Sequence, residues 1–239
     1  MMYYSQFLLC GSVIFAFRQS HLPGKVVVLL LFAGSIFAWS TMLTKFVELH
    51  RARVDSRRFV KLFRAERNPL SLYVKGKAFA ASPLYRVFEG GSEVLHKALS
   101  LRGKQDDLLS SGRITESELD RVKRRVARGL ADEGLWLEGR MGFLATAVTA
   151  APFLGLLGTV WGVMDSFGRM AAARSTTLWT VAPGISGALL TTVVGLLVAL
   201  PSAIGYNMLS TQIRRLAVEM EDFAEEFTAS ADALFVDHG

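Results

Sequence analysis

The 239-residue sequence is poor in the residues from which most chemical sites are built. It has one cysteine, Cys10, four scattered histidines (His21, His50, His96, His238), and only 20% Asp, Glu, Lys and Arg. A single cysteine excludes a disulfide framework and any cysteine-cluster metal site. Histidines this dispersed give no ligand spacing, so neither a metal nor a cofactor is expected. Enzyme signatures are also missing: there is no phosphate loop, no His-Glu-x-x-His pair and no Gly-x-Ser-x-Gly elbow. Catalysis is therefore not expected. The basic segments carry no recognition motif and no interleaved aromatic platform, which removes nucleic acid as a partner despite a pI near 9.7.

What the chain does have is apolar length. Hydrophobic residues make up 51% of it, and mean hydropathy is +0.33. Three stretches contain no charge: Val26–Thr44 (19 residues), Met141–Met164 (24) and Ser175–Ile213 (39). About 20 apolar residues cross the hydrocarbon of a bilayer. The expected fold class is all-α, an integral membrane protein with three transmembrane helices extended into a cytoplasmic helical bundle. Its expected parts are an N-terminal interfacial or periplasmic segment (1–25), spans at 26–46, 141–167 and 178–209, a cytoplasmic helical loop (47–140), a periplasmic link (168–177) and a cytoplasmic amphipathic tail (210–239). The run Gln6–Phe17 is too short to span and reads as an interfacial helix ended by His21-Leu22-Pro23-Gly24.

Charge sets the expected orientation. Lys45–Arg140 holds 21 Lys+Arg and 13 Asp+Glu, whereas Tyr206–Gly239 has two basic and seven acidic residues. The positive-inside rule puts the loop in the cytoplasm, the N-terminus and the Asp165–Arg174 link outside, and the C-terminus inside. The loop is helical in pattern, with breaks expected at Asn68-Pro69, Ser82-Pro83, Gly90-Gly91 and Gly112, and with Thr115-Glu116-Ser117-Glu118 opening a helix. The third charge-free run would be about 58 Å long as a helix, nearly twice the hydrocarbon thickness. Its helix is therefore expected to run past Tyr206-Asn207 into Arg214–Ala231, with Pro183-Gly184 near the outer face.

At 100° per residue the second span groups Val148, Pro152, Gly155, Thr159, Gly162 and Ser166. The third groups Ala188, Thr192, Gly195 and Ala199, with Ser202 at the edge. Such small faces serve tight helix packing. They equally suit a shared polar axis, where Thr159 and Thr192 offer hydroxyls to water or an ion. Spacing leaves both readings open. Because no ionisable residue lies in any charge-free run, an ion path here needs a titrating group from a partner. Asp165 is a candidate charge at the outer mouth, or a plain interfacial charge beside Arg169.

The stretch Ala151-Pro-Phe-Leu-Gly-Leu-Leu-Gly-Thr-Val-Trp-Gly-Val-Met164 resembles the second-span motif of the MotA/TolQ/ExbB channel family. Val181-Ala-Pro-Gly-Ile-Ser-Gly-Ala-Leu-Leu-Thr-Thr-Val-Val-Gly195, followed by Ala199-Leu-Pro201 and Tyr206-Asn207, resembles its third-span motif, and the tail Met220–Ala229 looks closest to the TolQ branch. The resemblance implies a bacterial inner-membrane stator subunit assembled as a homopentamer. The ring would surround a TolR- or ExbD-like dimer whose Asp carries the proton, with work delivered through a TolA- or TonB-like protein. It matches Thr159 and Thr192 to pore-lining threonines, and Pro152, Gly155, Gly158, Pro183 and Gly184 to structural positions. Gly162 and Gly195 extend the packing faces. One departure stands out: the family often has Glu at the position of Gly187. Open alternatives are an ExbB-like role in TonB-dependent uptake and a non-conducting membrane scaffold.

Overall fold

The computed structural model describes residues 22–76, 78–101, 112–172 and 177–236. Most of these residues are helical: α1 Leu22–Ala65, α2 Ser71–Val74, α3 Pro83–Ser100, α4 Glu116–Glu138, α5 Met141–Ala172 and α6 Leu178–Phe235. Among the described residues there is no strand, only an isolated parallel bridge between Ile114 and Val236. Three helices are long and apolar enough to cross a membrane. The helices divide into two compact units, one from residues up to Leu43 with Arg140–Met208, the other from Thr44–Gly139 with Leu209–Gly239.

In the first unit the polarity of an ordinary core is reversed. Large apolar side chains such as Leu29, Phe32, Phe153, Leu197 and Leu200 are exposed, while Ala151, Gly155, Gly158, Gly195 and Ala199 are buried. With lipid as the solvent, burying large side chains yields little, and small ones let backbones approach. Val27 and Leu31 of α1 pack with Ala151 and Ala199.

The second unit has a conventional aromatic core. Phe59 and Phe63 of α1 meet Phe88 of α3 and Phe223 and Phe227 of α6. Ring centroids lie 5.2 Å apart for Phe59–Phe88, 5.1 Å for Phe63–Phe223 and 5.4 Å for Phe88–Phe227. Leu49, Ala52, Ser56, Phe59 and Phe63 recur at three- and four-residue spacing, so one stripe of α1 is buried. Arg86 on α3 grips Glu133 on α4, with its Nε donating over 2.7 Å. The guanidinium also lies 4.8 Å from the Trp136 ring centroid.

Most of the expected punctuation is present. Helix α1 stops at Ala65, and Asn68 Oδ1 accepts from the Leu70 amide at 2.8 Å. Ser82 caps α3 by accepting from the Tyr85 amide, with Pro83 at the first helical position. Thr115 and Glu118 form the capping box of α4. The 39-residue charge-free run lies almost wholly in α6, which continues unbroken to Phe235, and Pro183-Gly184 falls in its second turn.

One local expectation fails. Gly90-Gly91 breaks nothing and lies buried inside α3. A Cβ on Gly91 would stand 2.7 Å from a Val126 methyl and 2.8 Å from the Phe227 ring. These glycines provide clearance for packing, which outweighs their weak helix propensity. Pro23-Gly24 lies at the described start of α1. The Gln6–Phe17 run, the segment it was expected to end, lies outside the described residues. Beyond the second span, α5 continues to Ala172, so residues 168–172 of the expected 168–177 link are helical.

Candidate functional site

The site is the crossing of α5 and α6 within the first unit. Glycines make it possible. A Cβ on Gly155 would lie 2.8 Å from the Thr191 carbonyl oxygen, and one on Gly162 would lie 2.6 Å from the Ala188 methyl carbon. One on Gly158 would meet the Thr191 side chain, and one on Gly195 the Ala151 carbonyl. The two backbones therefore pass at a separation no larger side chain would permit. Pro152 lies within α5, half-buried. Pro183 and Pro201 lie within α6, and each of these prolines removes one helical donor.

Three threonine hydroxyls collect where the helices meet. Thr159 and Thr192 are 2.5 Å apart between hydroxyl oxygens. Thr191 donates toward the Ala188 carbonyl at 2.7 Å or the Gly155 carbonyl at 2.9 Å. Thr192 lies 3.1 Å from the Gly155 carbonyl, and Thr159 lies 3.0 Å from that of Ala188. One assignment uses each proton once: Thr191 to Ala188, Thr192 to Gly155 and Thr159 to Thr192. Every hydroxyl proton is then accepted, and the Thr159 oxygen keeps a lone pair for an incoming donor.

Exposure separates the three. Thr191 is fully buried, whereas Thr159 and Thr192 are half-buried. The structure thus brings the two sequence-expected threonines together and adds Thr191, which sequence reasoning missed. Its signal was available. Ala188, Thr191, Gly195 and Ala199 follow helical three- and four-residue spacing, so the buried line of α6 runs through Thr191, with Thr192 on its edge.

The remaining candidates scatter around this crossing. Asp165 accepts from the Arg169 guanidinium at 3.1 Å, one turn along α5. Ser166 is buried and donates to the Gly162 carbonyl at 2.7 Å. Gly187 is buried beside a void of about 10 Å³ lined by Pro23, Gly24, Gly158, Trp161, Gly162 and Ala188. That is room for one water at most. Where the family resemblance leads one to expect a carboxylate, this chain has a buried glycine. Chemically the crossing offers hydroxyls and carbonyls and no titratable group. It can lower the cost of a polar or protonating group at this depth, but it cannot itself take up or release a proton near neutral pH.

Comparison with known proteins places this geometry in context. The sequence profile of the MotA/TolQ/ExbB proton channel family matches residues 83–222. The chain is 27% identical over 214 residues to the Tol-Pal system protein TolQ of Haemophilus influenzae, covering 89% of this chain and 90% of that protein. It is 30% identical over 207 residues to TolQ of Pseudomonas aeruginosa, covering 86% of each. It is 32% identical over 211 residues to the biopolymer transport protein ExbB of Salmonella typhimurium, covering 88% of this chain and 82% of that one.

Proposed function

The chain belongs to the MotA/TolQ/ExbB proton channel family, and from that premise we propose that it is a TolQ-like stator subunit of a motor driven by the proton-motive force. In this reading it lies in a bacterial inner membrane with its N-terminus periplasmic and its C-terminus cytoplasmic. Five copies form a ring around a TolR-like dimer, and work passes through a TolA-like protein to maintain the outer membrane during division. One observation carries the reading. The α5–α6 crossing presents two half-buried hydroxyls within long apolar runs that contain no Asp, Glu, His, Lys or Arg.

Each element then has a mechanical part. A bare charge at the centre of a bilayer costs roughly 2.5–3.5 kcal/mol on insertion scales. Thr159 and Thr192 reduce that cost for a carboxylate on the partner's helix as it gains and loses its proton. Thr191 and the glycines fix the helices so that the hydroxyls hold position. Asp165, paired with Arg169, stands beyond the charge-free run as a charge at the outer mouth.

The test is proton flux into liposomes from the chain reconstituted with and without a co-expressed single-span partner encoded beside it, together with the mass of the purified complex. Partner-dependent flux and a mass of five copies plus two support the reading. Flux without any partner, or a ring without flux in its presence, overturns it. An ExbB-like role in TonB-dependent uptake is the second reading, favoured by the 32% identity to ExbB. Neighbouring genes separate the two: TolR-, TolA- and Pal-like against ExbD- and TonB-like.

A further inference from the structure

The second unit carries an unusual separation of charge between two of its helices. The α1 portion Thr44–Ala65 has seven Lys+Arg against two acidic residues, whereas the α6 portion Leu209–Phe235 has six acidic residues against two Arg. These helices pack side by side through Phe63 and Phe223, yet their opposite charges scarcely meet. Among the described residues one ion pair joins them, Arg64 to Glu226, bidentate with distances of 2.7 and 2.9 Å. This pairing raises the Arg64 guanidinium above its ordinary pKa. Beside that pair the helices flank a groove of about 510 Å³, which Arg64 also lines. Arg57 and Lys61 stand on its α1 wall, and Glu219 and Asp222 on its α6 wall.

The outward faces repeat the pattern. On α1, Arg57, Arg58 and Lys61 are exposed beside the partly exposed Val54 and Leu62. On α6, Glu221, Asp222 and Glu225 are exposed beside Val218, which is 51% exposed. None of these six charged side chains has an ion-pair or hydrogen-bond partner among the described residues. A basic face and an acidic face of similar length, each flanked by an exposed apolar residue, are complementary to one another. Within one subunit they sit on neighbouring helices, with Arg57, Lys61 and Asp222 lining the shared groove and Arg58, Glu221 and Glu225 outside its lining.

We infer that the two faces meet between copies of this chain: the basic face of α1 in one subunit docks on the acidic face of α6 in the next. Such a contact is heterologous, joining different patches, and repeated contacts of this kind close into a ring when the rotation allows. The inference rests on the ring assembly proposed above and assigns that ring a cytoplasmic, electrostatic interface. Complementary charge fixes register and suppresses wrong pairings, and it is weakened as salt shortens the Debye length from about 8 Å to 3 Å at 1 M. Helix α4 also exposes basic residues, but Glu116, Asp120 and Asp132 interrupt them, so α1 is the better match to the acidic face.

The experiment uses the full chain in native membranes with Cys10→Ser. Lys61→Cys and Glu225→Cys together are expected to give a ladder of covalent dimers, trimers and larger species on mild oxidation, and either cysteine alone to give dimers at most. Arg58→Glu or Glu221→Lys in that background lowers the ladder yield by roughly tenfold, a like-charge penalty, and the two combined restore it. A change that merely unfolds the unit is not rescued by its partner. Only monomeric product, or a yield that neither reversal moves, overturns the interface. Native mass of the uncrosslinked protein is measured in parallel. A ring of normal mass with no ladder refutes this interface alone, whereas a monomeric mass refutes the ring assembly itself.

Discussion

Gly195 of α6 faces Ala151 of α5 across a backbone-to-backbone contact: a Cβ at Gly195 would stand 2.6 Å from the Ala151 carbonyl oxygen and 3.1 Å from Gly155 Cα. Neither neighbour is a side chain that can rotate away. Any larger residue must separate the helices on which the threonine cluster depends.

Gly195→Ala is therefore expected to destabilise the protein by about 1–3 kcal/mol, the usual cost of overpacking. Gly34→Ala is the control, because nothing lies within 4 Å of a Cβ there. In a helix that replacement should be neutral or stabilising by up to about 1 kcal/mol. Thermal unfolding of both variants in one detergent checks this, and equal melting temperatures would refute the tight crossing.

The threonines divide by role. Thr159→Val with Thr192→Val is expected to abolish partner-dependent proton flux while leaving the complex assembled, since Thr191 keeps its bonds to the Gly155 and Ala188 carbonyls. Thr191→Val, at a fully buried position, should instead lower stability by about 0.5–1.5 kcal/mol through the lost hydrogen bond. Flux and melting temperature, measured on both variants, separate the effects. Disassembly of the double variant would make the half-buried pair a packing device only.

Much of this was legible in the sequence because the bilayer imposes simple rules. Charge-free length marked three spans, and helical spacing put Gly155, Gly162 and Gly195 on facing stripes. Ser82-Pro83 marks a break and Thr115–Glu118 a helix start, and both rest on hydrogen bonds local to the chain. Gly90-Gly91 misled because a glycine pair signals backbone freedom and close packing alike, and only the neighbouring Val126 and Phe227 decide between them. Thr191 was passed over for Thr192 because one residue of helical phase, 100°, lies within the width of a stripe drawn from spacing alone. Lys45 reads in sequence as a topological charge, while two of its partners, the Trp136 and Leu137 carbonyls, lie some ninety residues away.

Asp165 tests the outer mouth. Its carboxylate is half shared with Arg169 in an exposed pair one helical turn apart, an arrangement worth about 0.3–0.5 kcal/mol. Asp165→Asn should leave stability unchanged. If the charge draws cations inward, the same variant lowers flux, more strongly at low ionic strength, where screening is weak. Flux measured across external pH and salt decides this. An unaltered profile would reduce Asp165 to an interfacial charge.

Lys45 illustrates a cation used for architecture. Its side chain is only 4% exposed, and its ammonium donates to the Trp136 and Leu137 carbonyls, each at 3.3 Å, and pairs with Glu48 at 3.2 Å. Those carbonyls belong to the last turn of α4, where helical acceptors lack partners and the helix dipole favours positive charge. The chain then turns through Gly139 and Arg140, the latter at φ 68°, a left-handed conformation costly for a residue with a Cβ. Lys45→Met keeps the length and the apolar stem but takes the ammonium donor from both carbonyls, of which Trp136 keeps the Gly139 N–H at 3.2 Å. It should cost about 1–3 kcal/mol, and amide exchange should accelerate in the last turn of α4 ahead of the rest of the helix. Exchange that rises uniformly along α4, or not at all, would show that Lys45 does not hold this corner.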